Sequence, residues 1–511
     1  MEFSSIVTAS DMADDCVDLL IVGGGINGAG IARDAAGRGL KVVLVEQADL
    51  ASATSSASTK LIHGGLRYLE LFELRLVREA LQERERLLAI APHIIKPMQF
   101  VLPHVEGLRP RWQIRMGLFL YDHMGGQHRL PVSRTTRFSD EFQHTLKETI
   151  LHGFVYSDCW VDDSRLVVLN AMDAANRGAQ IRTHTRFHGA NASAGRWHAQ
   201  LIDQSSGEQS TVTARAMVNA AGPWVEDVLR SVPSAHNASQ VRLVKGSHII
   251  VPKLYEGDHA FLLQHPDGRV VFTIPYERDF TLIGTTDVPY ERDPASVTIS
   301  REEIDYLCDT VNGYFLRQIS ADDVKWTYAG VRPLHDDDAA NASRVTRDYK
   351  LEFADTDHLP PLLSVFGGKI TTYRRLAEMA LHRLEPFIGN GSENWTADAP
   401  LPGGELPHGD FEAFLAGVQR RWPFLPEPMA RRLAHAYGTR ISDFVAAARS
   451  LEDLGTHFGA GLTRAEVDYL RTHEWARTAD DILWRRSKLG LHTTPAERQT
   501  LRQYLENNKE V

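Results

Sequence analysis

The segment LIHGGLRYLE, residues 61–70, gathers a histidine, two glycines, an arginine and a tyrosine. That mixture is too polar for a core and too rich in glycine for a stable helix start. Adjacent glycines leave room for something to approach the backbone, and Arg67 offers a fixed charge to an anion. A second concentration of glycine lies upstream, where VGGGINGAG sets Gly23, Gly25 and Gly28 in G-x-G-x-x-G spacing around Gly24 and Asn27. That spacing suits a dinucleotide: the first glycine makes a tight turn, the second admits a pyrophosphate, and the third lets helix pack closely on strand. The pyrophosphate then sits at a helix N-terminus, where free N–H groups and the helix dipole favour negative charge. Glu46 follows Gly28 by 18 residues, at a strand end from which a carboxylate accepts from ribose hydroxyls. TSSAST, residues 54–59, adds hydroxyls, Ser55 and Ser56 among them, able to bond phosphate or ribitol. Composition alone fits a solvated serine loop equally well.

The elements that must carry these residues are legible around them. VDLLIV reads as a buried strand, NGAGIARDAAGRG as a small-residue helix and LKVVLVE as a second strand, a βαβ unit with parallel pairing. An amphipathic helix is expected over 69–90, with Leu74, Val77, Leu81 and Leu88 on one face. ARAMVNAAGPW (214–224) reads as another buried strand entering a turn at Gly222. LLSVFGGKITTYRRLAEMALHRL (362–384) reads as strand, Gly-Gly turn and helix, so the first domain resumes twice. Between them QVRLVKGSHIIVP and RVVFTIPYERDFTLIGTTD carry strand-like runs of an antiparallel sheet. After a linker at PLPGGELPHGD (400–410) the chain turns helical.

The expected division is a flexible extension over 1–16 and a discontinuous dinucleotide-binding domain over 17–90, 150–235 and 330–399. A substrate domain over 91–149 and 236–329 and a helical domain over 400–511 complete it. The fold class is α/β with an α+β insert. A formal charge of −10 argues against a general nucleic-acid binder. Three widely spaced cysteines without ligand spacing suggest neither a disulfide framework nor a metal site, and point to a reducing compartment. The first sixteen residues lack the basic and apolar regions of a secretory signal, and no apolar run is long enough to span a bilayer. The chain reads as soluble or peripheral.

Eight motifs in order, VGGGINGAGIARDAAGRGL, SSASTKLIHGGLRYLE, FVYSDCWVDDSRL, VNAAGPW, KGSHIIVP, IGTTD, TYAGVRPL and FGGKITTYRRLAE, resemble the FAD-dependent glycerol-3-phosphate dehydrogenases, nearest the aerobic, quinone-linked bacterial type. The resemblance runs from about residue 17 to near the C-terminus; the N-terminal extension departs from it. It implies a two-domain FAD-binding fold, Rossmann-like and of the glutathione-reductase and amino-acid-oxidase type, followed by a helical domain. It also implies FAD as cofactor and hydride transfer from C2 of sn-glycerol 3-phosphate, giving dihydroxyacetone phosphate, with electrons passed to ubiquinone. Carried over on the matching motifs, Arg67, Tyr68, His248, Arg332 and Lys369 bind substrate, and Arg67, His248 and Arg332 are catalytic. An arginine fork suits phosphate oxygens. His248 is a candidate base, with His63 and the arginines as rivals. Gly23, Gly24, Gly25, Asn27, Gly28, Glu46, Ser55, Ser56, Gly222, Gly368 and Lys369 form the cofactor set. In it Gly367 and Gly368 admit the flavin ring, while Lys369 and a helix starting near Ile370 offset negative charge on it.

The same resemblance implies peripheral attachment to the cytoplasmic face of the inner membrane. RPRWQIRMGLFLYDH (109–123) and TTYRRLAEMALHRL (371–384) are the basic, amphipathic candidates, although helices packed on the core with a solvated basic face show the same pattern. Asp158, Asp162 and Asp287 read as turn and capping residues; no metal cluster emerges, and a homodimer is left open. Two rival readings stand: a related flavin oxidase using oxygen or an amine substrate, and an FAD-loaded binding protein without turnover.

Overall fold

Residues 16–105, 109–126, 129–138, 142, 144–233, 241–335, 348–354, 359–389 and 393–508 are described in the computed structural model. Strand β1 (Val17–Val22) buries Leu19, Leu20 and Ile21 completely, as a strand covered on both faces must. It pairs in parallel with β2 (Val42–Val45) on one side and with Gln209–Asn219 on the other. The latter runs parallel to Leu362–Phe366, so both expected returns of the chain enter this first sheet. Helix α1 (Ile26–Gly37) follows β1 and packs on helices Asp163–Asn176 and Tyr373–Ile388. Its small residues are required there: a methyl at Gly30 would lie 2.6 Å from the Tyr373 ring.

The second sheet has ten strands among the described residues. Within it β3 (Leu61–Ile62) pairs antiparallel with His152–Val161, Leu61 opposite Trp160 and Ile62 opposite Cys159. Helix α2 (Leu74–Ile90) comes next, entered through a 3-10 turn over Leu66–Leu71. Val77 and Leu81 are buried as expected, but Leu74, expected on the same face, is 47% exposed because the helix starts there, at its edge. Strand β4 (Ile95–His104) then lies antiparallel to the whole of His152–Val161, helix α3 (Arg111–Met124) intervenes, and His152–Val161 itself is β5. Val241–Pro252 and Trp326–His335 pair along their length in the same sheet. Strands 152–161 and 326–335 therefore lie in the second sheet, whereas the expected boundaries at 150 and 330 gave most of them to the first. The helix following β5 imitates a strand–helix unit of the first domain, and the long antiparallel ladder with β4 overrides that local pattern.

The expected linker at 400–410 is a tight strap. Leu401 is fully buried, its N–H donates to the Ile90 carbonyl at 2.8 Å, and a methyl at Gly403 would meet the Tyr437 carbonyl oxygen at 2.2 Å. The C-terminal helices, among them Glu427–Tyr437 and Arg464–Glu474, are tied to the first domain by buried charge. Arg486 meets Asp49 at 2.7 Å, Arg485 meets the same carboxylate at 2.5 Å, and Arg165 pairs with Glu474. Burial alone would raise the Asp49 carboxyl, yet the two guanidiniums hold it below its ordinary value. No helix among the described residues is long and apolar enough to cross a membrane.

His93 and His435 sit on this seam, His435 Nδ1 lying 2.8 Å from the His93 carbonyl. Burial, with nearby Arg165, pulls His93 down to about 3, and burial pulls His435 down to about 4. Both stay neutral in the folded chain, while in the unfolded chain they take up protons near the ordinary value of about 6.5. Stability is therefore full above that value and falls with acid, by about 1 kcal/mol per histidine between roughly pH 7.5 and 5.5. Melting temperatures measured across that range should fall, and His93→Gln with His435→Gln should flatten the dependence.

Candidate active site

A cavity of 1470 Å³ runs between the two sheets. At one end β1 stops and Gly23 turns with φ +113°, its N–H donating to the Val45 carbonyl at 2.8 Å. A side chain at Gly23 would strike the Ala220 carbonyl at 2.4 Å, and a methyl at Gly28 would lie 1.9 Å from the Gly23 carbonyl oxygen. The first turn of α1 thus rests on bare backbone, and Gly25, Ile26 and Asn27 at its start line the cavity. The Ser55 hydroxyl accepts from Ile26 N–H at 3.0 Å there. Glu46 accepts from Gly24 N–H at 2.7 Å and Ala48 N–H at 2.9 Å, and burial raises its carboxyl against these donors. Across the cavity Gly367 and Gly368 turn with φ +70° and +95°, and Asn27 Nδ2 donates to the Gly367 carbonyl at 3.3 Å. Asn27 Oδ1 is buried without a hydrogen-bond partner among the described residues. A cradle that no Cβ can share, a helix N-terminus lining it, a strand-end carboxylate and an unsatisfied amide oxygen fit a bound dinucleotide.

Of the expected site residues, Gly23, Gly25, Asn27, Glu46, Ser55, Tyr68, Gly222, Arg332, Gly368 and Lys369 line this one cavity, as does His63. Gly24 and Gly28 shape it from behind. Ser56 turns its hydroxyl back to the Ala53 carbonyl at 3.3 Å, and the Arg67 side chain lies outside the described residues. Lys369 stands 3.6 Å over the Tyr68 ring. The expected helix at Ile370 is a 3-10 turn, Ile370–Thr372, leading into Tyr373–Ile388. His248 is set back from the wall. It is 1% exposed, stacked on Tyr328 at 4.7 Å, with Nε2 3.0 Å from the hydroxyl of Thr59, which does line the cavity. Burial, then the charges of Arg332 and Lys60, holds its pKa well below the ordinary histidine value.

Two residues read as turn formers prove otherwise. Asp287 is an ion-pair partner of Arg332 on the cavity wall, beside Thr285 Oγ1, which lies 3.3 Å from the same guanidinium. Asp158 is buried, accepting from Arg84 at 2.8 Å and from the Tyr121 hydroxyl at 2.7 Å. Neither partnership is signalled locally, because the arginines lie 45 and 74 residues away. Asp162 does cap a helix, accepting from Arg165 N–H at 3.3 Å.

Residues 18–374 match the family model for FAD-dependent oxidoreductases, and residues 394–509 match the C-terminal domain of alpha-glycerophosphate oxidase. A glycerol-3-phosphate dehydrogenase of Pseudomonas aeruginosa is 54% identical, over 98% of this chain and 97% of its own. The chain is a member of the FAD-dependent glycerol-3-phosphate dehydrogenase family. FAD is the cofactor of this family member, and the expected two-domain fold with a helical C-terminal domain holds. A D-erythritol 1-phosphate dehydrogenase of Brucella abortus is 52% identical over 96% of this chain and 98% of its own. The glycerol-3-phosphate dehydrogenase of Bacillus halodurans, solved with FAD, superposes with a TM-score of 0.75 at 28% identity, covering 98% of this chain and 95% of that one.

Gly28→Ala tests the cradle. Its methyl cannot be placed without lifting α1 off the Gly23 carbonyl, so the variant should purify colourless while the wild type carries its flavin, as absorbance spectra of the two will report.

Proposed function

We propose that the enzyme oxidises sn-glycerol 3-phosphate to dihydroxyacetone phosphate and hands the electrons to a membrane quinone. The observation that carries this reading is a guanidinium, Arg332, set on the wall of the flavin cavity and oriented by Asp287. A small dianion enters a cleft only if charged donors replace its water, and Arg332 and Lys369, with Arg67 proposed beside them, supply those donors. FAD, when bound, accepts the C2 hydrogen together with its electron pair. The chain's own part is to hold the phosphate, keep water out and take the proton released from the C2 hydroxyl. His248 adjoins the cavity through the Thr59 hydroxyl, 3.0 Å from its Nε2, which places it to act as a base through that threonine. His63, on the wall itself, is the rival.

The likeness to the erythritol-phosphate enzyme supports a second reading, a four-carbon polyol phosphate as substrate. Anaerobic mixing decides: glycerol 3-phosphate should bleach the flavin band at far lower concentration than longer polyol phosphates or amines, and an unbleached spectrum would refute the assignment. Arg332→Ala should raise the half-bleaching concentration at least tenfold, as loss of a charged hydrogen bond implies, with FAD retained. Arg67→Ala should behave alike.

Helix α3 supports the membrane part of the reading. Trp112 is 68% and Phe119 53% exposed, beside exposed Arg109, Arg111 and Arg115, and Phe72, 85% exposed, edges the cavity nearby. Apolar and basic side chains on one surface helix suit an anionic bilayer interface. The segment at 371–384, by contrast, is spent inside: Leu376, Leu381 and Leu384 are buried, and Arg374 meets Glu83 at 2.7 Å. Trp112→Ala with Phe119→Ala should abolish sedimentation with anionic phospholipid vesicles and leave anaerobic bleaching unchanged.

A further inference from the structure

The loop that opens the cavity wall leaves β3 at Ile62 and is gripped on two sides. On the side of the 3-10 turn Ile370–Thr372, His63 N–H donates to Thr371 Oγ1 at 3.3 Å. On the opposite side Gly64 N–H donates to the Tyr121 hydroxyl at 2.8 Å. That hydroxyl in turn donates to Asp158, whose carboxylate also accepts from Arg84, so α3, α2 and β5 converge on a single amide of the loop. The three side chains are buried, Tyr121 at 2%, Asp158 at 1% and Arg84 at 6% exposure. Fit is close as well: a methyl at Gly64 would meet Leu81 at 2.6 Å and the Tyr121 ring at 2.8 Å. One residue later the chain turns at Gly65 with φ +75° and enters the 3-10 turn bearing Tyr68. His63, Gly65, Leu66, Tyr68 and Leu69 all line the cavity, and Tyr68 lies beneath the Lys369 ammonium.

We propose that Tyr121 is a positioning residue for substrate binding, its hydroxyl anchoring Gly64 N–H to Asp158 so that the wall carrying His63 and Tyr68 keeps its place. Tyr121 does not line the cavity and touches no reacting atom; it acts through the loop. This rests on the substrate reading above for one arm of its test and is independent of it for the other.

Tyr121→Phe keeps the ring that packs against Gly64 and removes only the hydroxyl. In the FAD-loaded enzyme, hydrogen–deuterium exchange of the peptide spanning residues 61–69 should quicken, while exchange in β1 and α1 stays as in wild type. In anaerobic titration the half-bleaching concentration of sn-glycerol 3-phosphate should rise about fivefold, the factor one lost buried hydrogen bond represents. The limiting rate at saturation and the FAD content should hold. Leu118→Ala is the comparison: Leu118 is fully buried on the same helix, and its truncation should lower the melting temperature without shifting half-bleaching. Unchanged loop exchange in Tyr121→Phe overturns the inference. So does an unchanged half-bleaching concentration, or an equal rise in Leu118→Ala, which would make helix packing the cause. A wild type that no glycerol 3-phosphate bleaches instead sinks the substrate reading, and the exchange arm still decides the anchor.

Discussion

Everything in the cavity is arranged around one close approach, the first turn of α1 lying against the Gly23 carbonyl where no Cβ at Gly28 can fit. A helix N-terminus attracts an anion only if its free amides point at open space, and bare backbone is what brings this terminus to the ends of β1 and β2. Once that terminus lines the cavity, the remaining placements are consequences. Glu46 ends the neighbouring strand, Ser55 crosses over the Ile26 amide, and Asn27 reaches the second glycine turn. The two turns come from segments 340 residues apart, joined because their strands are near neighbours in the parallel part of one mixed sheet.

The parallel part of that sheet was readable from VDLLIV, VNAAGPW and LLSVF because a strand buried on both faces is apolar almost without interruption. The glycine spacing and the strand-final Glu46 were readable for the same local reason. What escaped detection is long-range. Asp158 and Asp287 look like any aspartate near a turn until the sheet brings Arg84 and Arg332 to them. The amphipathic stretch at 371–384 fitted a membrane-interface helix and a core-packed helix with a solvated basic face equally, because its arginines sit among leucines. Only the fold reveals Glu83 waiting for Arg374. The strands at 152–161 and 326–335 were misassigned for a related reason: a strand carries no mark of which sheet it joins, and partners are chosen by ladders formed far away in sequence. His248 was found by motif, but a motif cannot tell a wall residue from one standing behind it.

Charge inside the molecule is handled in two manners. Where chemistry is expected, cationic groups stand against the cavity and the nearby histidine is kept neutral by burial. Elsewhere, within each domain, opposite charges are sealed together: Lys60 with Asp163 at 2.8 Å, Arg33 with Asp173 at 2.6 Å, Arg432 with Glu466 at 2.6 Å. The first arrangement leaves electrostatic work for a ligand, and the second leaves none.

The seam between Asp49 and Arg485–Arg486, with Arg165 against Glu474, bears on how such a chain can be shortened. Breaking a buried pair by deleting one member strands the other in a medium that cannot solvate it. Single changes that leave the helices in place are therefore the costly ones. A descendant lacking the helices would return Asp49 and Arg165 to water, and would instead bare the apolar residues, Ile90 and Leu401 among them, that share one core with Leu433 and Leu470.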